Sequence, residues 1–124
     1  MDKPLILFVD DDRDVLQLVK EGLEGHGYNT ITAENGKDAL NQLKAHTPAL
    51  IMIDLRMQPM SGFDLYQEIK KNLKFTNTPI FFLTAVDDFI AQKYSQKLGV
   101  NAYITKPVDI DDLHARIQQA IAEK

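Results

Sequence analysis

The sequence predicts an α/β protein built on a parallel β-sheet, and three observations predict this class. Apolar, strand-like runs alternate along the chain with segments whose apolar residues recur at helical spacing. Most of these runs are apolar throughout, so they are expected to be strands buried between layers of helices. Polar and charged residues stand where several runs end, which is where open parallel sheets bind their ligands. At 124 residues, the chain is expected to form one domain spanning residues 1–124.

Five strands are predicted in the order of these runs. Four are expected to be buried, and the second alternates polar and apolar residues, as an edge strand does. In chain order the predicted strands are Leu5–Val9, Asn29–Ala33, Ala49–Ile53, Ile80–Leu83 and Ala102–Thr105.

A helix is predicted after each strand. The apolar stripes that should face the sheet are Val15, Leu16, Val19 and Leu23 in the first helix, Leu40 and Leu43 in the second, Phe63, Tyr66, Ile69 and Leu73 in the third, and Ile110, Leu113, Ile117 and Ile121 in the fifth. A more polar fourth helix is expected from about Asp87 to Leu98, closed by Gly99. Short polar side chains that can cap helices are Asp11 or Asp12, Asn35, Ser61 and Asp109.

Reactive side chains stand at the ends of the first, third, fourth and fifth strands. Asp10 and Asp11 follow the first strand, and Asp54, Thr84 and Lys106 stand at the ends of the others. The carboxyl ends of parallel strands share one edge of the sheet, so these groups are expected to form one pocket. Clustered carboxylates repel one another unless a cation relieves them, and oxygen ligands favour a hard divalent ion such as Mg2+.

The pocket has the groups needed to move a phosphoryl group onto a carboxylate. Asp54 would be the nucleophile, and the two acids would hold a cation that neutralises the phosphoryl oxygens. Lys106 would pair with another oxygen, and Thr84 would donate a hydrogen bond.

The order Asp10-Asp11, Asp54, Thr84-Ala85, Tyr103 and Lys106-Pro107 resembles the receiver domain of two-component response regulators. The resemblance covers nearly the whole chain. It implies a flavodoxin-like (βα)5 fold, a doubly wound parallel sheet with strand order 2-1-3-4-5. It also implies that a sensor histidine kinase or a histidine phosphotransfer protein donates a phosphoryl group to the acceptor aspartate.

The resemblance further implies a role for each matching residue. Asp11 would ligate Mg2+ (or Mn2+) directly, Asp10 largely through water, and the backbone carbonyl of Arg56 would add a ligand beside Asp54. Thr84 and Tyr103 would form a conformational switch, and the Lys106–Pro107 bond would be cis. The output would be a downstream protein or a second copy, docking on the face of helix 4, strand 5 and helix 5, which includes Phe89 and Tyr94.

The loop after the acceptor departs from the family pattern. The family commonly has proline one position earlier, where this chain has Gln58, and an acid where it has Ser61. Without proline's fixed φ, the loop is expected to be looser. Two further positions, Arg56 and Val86, flank the phosphoryl group in the family and tune its hydrolysis. A long cation and a branched apolar side chain there suggest the hypothesis of slow dephosphorylation.

Composition narrows the possible functions. A net charge of −4 without a basic cluster argues against direct nucleic-acid binding. The absence of Cys excludes disulfides and thiolate metal sites. No apolar run approaches membrane-spanning length and the N-terminus lacks a signal-like pattern, so no membrane partner is expected and a cytoplasmic location is the default.

Three other functions share some of these sequence features. Asp10-x-Asp12 imitates the motif of haloacid-dehalogenase-type phosphatases, but position 14 is Asp, the chain is short, and Asp54 would have no role. A receiver-like binding module that works without phosphorylation would be marked by loss of the acids or of Lys106, and all are present. Flavin binding needs a phosphate-cradling loop where this chain has three acids.

The chain is expected to catalyse only its own phosphorylation and dephosphorylation. The sequence leaves open whether it acts alone, in a phosphorelay, or as part of a longer regulator or hybrid kinase.

Overall fold

A computed structural model describes residues 3–85 and 87–122. Five parallel strands form one sheet in the order β2-β1-β3-β4-β5, which confirms the predicted fold class and strand order. The strands are β1 Leu5–Val9, β2 Asn29–Ala33, β3 Leu50–Asp54, β4 Ile80–Ala85 and β5 Ala102–Lys106. The helices are α1 Arg13–Gly25, α2 Gly36–Ala45, α3 Gly62–Lys70, α4 Phe89–Leu98 and α5 Ile110–Ala122, with a 3-10 turn at Leu73–Phe75.

Helices cover both faces of the sheet because alternate residues of a strand point to opposite faces. In β1, Leu7 and Val9 pack in the layer of α2, α3 and α4, whereas Ile6 and Phe8 pack in the layer of α1 and α5. The central strands are therefore apolar on both faces, as the sequence predicted. None of the helices in the described residues is long and apolar enough to cross a membrane.

Local capping fixes where most helices begin. Asp12 accepts hydrogen bonds from the backbone N–H groups of the first turn of α1, and Asn35 and Ser61 cap α2 and α3 in the same way. Asp109 accepts from the N–H of Asp112, and Gly99 ends α4 in the left-handed conformation with φ 71°. These caps were predicted, whereas α4 begins two residues later than predicted because Asp88 is its cap.

The third helix is shorter than predicted, and the placement of Leu73 on its buried stripe was wrong. The helix ends at Lys70, and Leu73 lies 85% exposed in the 3-10 turn that follows. The side chain of Asn72 accepts a hydrogen bond from the N–H of Lys74, and this local bond competes with continuation of the helix. Phe75 takes the buried position instead.

Candidate functional site

The register of the sheet brings three acids together at its carboxyl edge. Val9 of β1 pairs with Ile53 of β3, so the residues that follow them, Asp10 and Asp54, stand side by side. Both are buried, whereas Asp11 is exposed at the rim. One carboxylate oxygen from each of the three acids lies within 4.8 Å of the others. The predicted acidic pocket is therefore present.

Lys106 reaches the same pocket from the end of β5. Its Nζ lies 3.0 Å from Oδ2 of Asp10 and 3.5 Å from Oδ1 of Asp54. The other oxygen of Asp10, Oδ1, accepts a hydrogen bond of 3.0 Å from the N–H of Asp12. The Lys106–Pro107 bond is cis. One ammonium group is therefore shared between two buried carboxylates.

The surroundings of Asp54 disfavour its charge. Burial raises the pKa of the Asp54 carboxyl from 3.8 to about 6, and the charge of Asp10 adds to the rise. The ammonium of Lys106 and the backbone N–H of Arg56 act in the opposite direction. Burial lowers the pKa of Lys106, but its hydrogen bond to Asp10 and the nearby carboxylates outweigh this and raise it. The pocket thus has more negative charge than the lysine offsets.

These donors fit a hard divalent cation. The three acids supply only oxygen atoms, and a divalent cation would relieve the repulsion that raises the pKa of Asp54. Both oxygens of Asp10 already have protein partners, whereas the exposed carboxylate of Asp11 makes no hydrogen bond to the described residues, which leaves Asp11 as the more open of the two neighbouring acids.

Thr84 and Tyr103 lie on the same face of the sheet. Phe82 pairs with Tyr103 and shares its face with Thr84, two residues further along β4. The Thr84 hydroxyl is buried and lies 3.5 Å from the carbonyl of Ala85. The half-buried Tyr103 accepts a hydrogen bond of 3.0 Å from Gln96 of α4 through its hydroxyl. Both side chains therefore border the layer that contains α4.

The loop after Asp54 contains contacts that the sequence did not predict. The exposed guanidinium of Arg56 forms two bonds to Asp88, with Nε 2.6 Å from Oδ2 and Nη2 2.9 Å from Oδ1. Gly62 is required where α3 begins, since an added Cβ would lie 2.5 Å from the Asp54 carbonyl oxygen. The Gln58–Pro59 bond is cis. The predicted role of Val86 lies outside the described residues.

A doubly wound sheet of this order, with acids after β1 and β3, has the flavodoxin-like fold of CheY. The family model of the response regulator receiver domain matches residues 6–118. Chemotaxis response regulator CheY4 of Vibrio cholerae is 25% identical with a TM-score of 0.86, and the match covers 95% of this chain and 98% of that one. The receiver domain of Francisella response regulator 1452 is 31% identical with a TM-score of 0.86, over 98% of both chains.

A curated relative matches most of this chain over about half of its own length. Transcriptional regulatory protein CrdR of Helicobacter pylori is 35% identical over 114 residues, which cover 92% of this chain and 53% of that protein. The chain spans about half the length of this and other curated relatives it matches. The chain belongs to the response regulator receiver domain family, whose members are signalling domains of two-component systems.

Proposed function

We propose that this chain, as a single receiver domain spanning residues 1–124, is a switch that is phosphorylated on Asp54. The phosphoryl donor would be the phosphohistidine of a sensor histidine kinase or of a histidine phosphotransfer protein. The observation that carries the proposal is a buried carboxylate at a strand end, 3.5 Å from a lysine and clustered with two further acids. Membership of the receiver family supports the same function.

The reaction follows from the groups around Asp54. A carboxylate oxygen of Asp54 attacks phosphorus, the P–N bond of the phosphohistidine breaks, and its electron pair returns to the imidazole nitrogen. In hydrolysis, water attacks phosphorus and loses a proton to solvent, the P–O bond to Asp54 breaks, inorganic phosphate is released, and the free carboxylate is regenerated. Lys106 would pair with a phosphoryl oxygen, and Thr84 would donate its hydroxyl to another. The chain would thus process only its own phosphoryl group.

Asp11, Asp54 and the backbone carbonyl of Arg56 would hold Mg2+ or Mn2+, with Asp10 acting mainly through water. When bound, such a cation supplies positive charge for the phosphoryl oxygens. The bonds that both oxygens of Asp10 already make support this division of roles.

Phosphorylation would shift an existing equilibrium toward a second conformation through Thr84 and Tyr103. The Thr84 hydroxyl would leave the Ala85 carbonyl, and Tyr103 would leave Gln96 and turn inward. The surface that changes would be the one formed by α4, β5 and α5, where the side chains of Phe89 and Tyr94 are exposed. A downstream protein or a second copy of the chain would bind there.

The test is intact mass after incubation with Mg2+ and acetyl phosphate, with Asp54→Asn as the matched control. One added phosphoryl group is expected, only with the cation and only when Asp54 is present. If the wild type gains no mass but binds beryllofluoride, the pocket is competent and the donor was unsuitable. If it binds neither, a binding module that works without phosphorylation becomes the better reading. Intact mass followed over time after removal of the donor gives the phosphate lifetime, and a half-life of seconds would contradict slow dephosphorylation.

A further inference from the structure

An ion pair bridges the acceptor loop and the beginning of α4. Arg56 follows Asp54 by two residues, and its guanidinium binds both carboxylate oxygens of Asp88. Hydrogen bonds from Arg56 also hold the pKa of Asp88 below its usual range. A two-point contact between a planar guanidinium and a carboxylate fixes orientation as well as distance. The contact therefore ties two loops together in a defined geometry.

The arginine end of this pair is connected to the acceptor. Arg56 follows the acceptor by two residues, and its backbone N–H favours the charged form of the Asp54 carboxyl, lowering the pKa of that group. The backbone and the side chain of Arg56 thus make different contacts, one to the reacting group and one to Asp88. Arg56 therefore lies beside the acceptor through its backbone and contacts Asp88 through its side chain.

The aspartate end is connected to α4 and to β4. Oδ1 of Asp88 caps α4 by accepting from the N–H of Ala91 at 3.2 Å. The backbone N–H of Asp88 donates to the carbonyl of Ala85 at 3.0 Å, and the Thr84 hydroxyl lies 3.5 Å from that same carbonyl. The pair therefore reaches both the first turn of α4 and the neighbour of Thr84.

Phosphorylation of Asp54 would place phosphoryl oxygens in competition with the Asp88 carboxylate for the Arg56 guanidinium. In the proposed function, the phosphoryl group replaces the single negative charge on Asp54 with about two. Lys106 already shares its charge between Asp10 and Asp54. A guanidinium binds phosphoryl oxygens with the same two-point geometry that it uses for a carboxylate.

We propose that Arg56 and Asp88 form a latch that is closed in the unphosphorylated chain and opens when Asp54 is phosphorylated. The guanidinium moves from the Asp88 carboxylate to phosphoryl oxygens, while Asp88 keeps its capping bond to Ala91. The first turn of α4, which includes the exposed Phe89, loses its tie to the acceptor loop. Arg56 thus couples the phosphorylation state of Asp54 to the conformation at the beginning of α4. This inference rests on the proposed function.

The test measures binding of beryllofluoride, a phosphoryl mimic, in the presence of Mg2+ by NMR titration of the full chain. Asp88→Asn weakens the latch but keeps an oxygen that can cap α4. Asp87→Asn is the matched control, because it removes the same charge from an exposed neighbour. Arg56→Met, alone and with Asp88→Asn, removes the guanidinium but keeps the backbone carbonyl.

Asp88→Asn is expected to bind the mimic about five-fold more tightly than the wild type, and Asp87→Asn to change affinity less than about two-fold. In the Arg56→Met background, Asp88→Asn should have no further effect. In the wild type, the Nε–H resonance of Arg56 should shift on binding, while the Ala91 amide stays hydrogen-bonded.

Equal binding by the Asp88 variant and the Asp87 control would overturn the latch, as would equal tightening with and without the guanidinium. In both cases the wild type still binds the mimic, so the proposed function stands. If the wild type binds none, the proposed function fails, and the latch fails with it.

Discussion

Replacing Asp54 with Asn removes a buried charge, and this should stabilise the folded chain at neutral pH when no divalent cation is present. Burial raises the pKa of this carboxyl from 3.8 to about 6. Each unit of such a shift corresponds to about 1.4 kcal/mol, so the ionised carboxylate destabilises the fold by about 3 kcal/mol. Asn lacks the charge but can still accept the N–H bond from Arg56.

The difference in stability between the wild type and Asp54→Asn should depend on pH. Between pH 3.8 and about 6, the folded chain binds the Asp54 proton more tightly than the unfolded chain does. The free energy of unfolding of the wild type should therefore decrease as pH rises through this interval, relative to Asp54→Asn. Below pH 3.8 the two proteins should be about equally stable, and above about pH 7 the difference should be constant.

Urea denaturation in EDTA across this pH range measures the difference directly. Asp87→Asn serves as the control, because it removes one aspartate charge from an exposed position. Saturating Mg2+ should stabilise the wild type and not Asp54→Asn, so the difference in free energy of unfolding between them should become smaller. A difference that does not vary with pH, or a variant less stable than the wild type at pH 7.5, would refute the reasoning.

Three further outcomes are expected. Gly62→Ala should lower the free energy of unfolding, measured by urea denaturation, by at least about 2 kcal/mol, because its Cβ would meet backbone atoms at 2.5 and 2.7 Å. Gly25→Ala is the control, and it should not lower this free energy comparably because nothing lies within 4 Å of its Cβ. Lys70→Met should lower the free energy of unfolding by about 2 kcal/mol in the same assay, because the lysine ammonium donates to three backbone carbonyls at 2.9 to 3.3 Å. Lys71→Met is the control, because Lys71 pairs with an exposed side chain instead. The affinity for Mg2+, measured by calorimetry, should fall as pH drops below about 6, because Asp54 must lose its proton to bind; a constant affinity down to pH 5 would contradict this.

The strands and caps could be predicted because their causes are local. An apolar run such as Leu5–Val9 fits a strand covered on both faces, and Asp12 caps α1 through bonds to residues two and three positions away. The pocket could be predicted for a different reason. Parallel topology brings all the strand ends to one edge, so Asp10 and Asp54 meet although they are 44 positions apart in the sequence.

Two features of the structure could not be predicted from the sequence. Neither the spacing of apolar residues nor the order of the strands indicates the side-chain contacts on which they depend. Arg56 and Asp88 are polar loop residues 32 positions apart, and nothing in the chain pattern pairs them. Leu73 continues the helical spacing of the third helix, so only the competing bond of Asn72 reveals that the helix has ended. The contact between Arg56 and Asp88 is set by tertiary packing, whereas the Asn72 bond is a local one that the spacing of apolar residues does not reveal.

In the proposed function, Lys106 would be needed to keep Asp54 ionised before any phosphoryl group arrives. A nucleophilic carboxylate must be ionised at neutral pH, yet its burial beside Asp10 favours the protonated form. Lys106 and the N–H of Arg56 oppose this effect and hold the pKa at about 6, which leaves the carboxylate largely ionised at pH 7. Without the ammonium the pKa would rise further, and a smaller fraction of the chains could attack a phosphoryl donor. In the proposed function, Lys106 would act on the free carboxylate as well as on the phosphorylated one, so loss of this lysine should slow phosphorylation most at low pH.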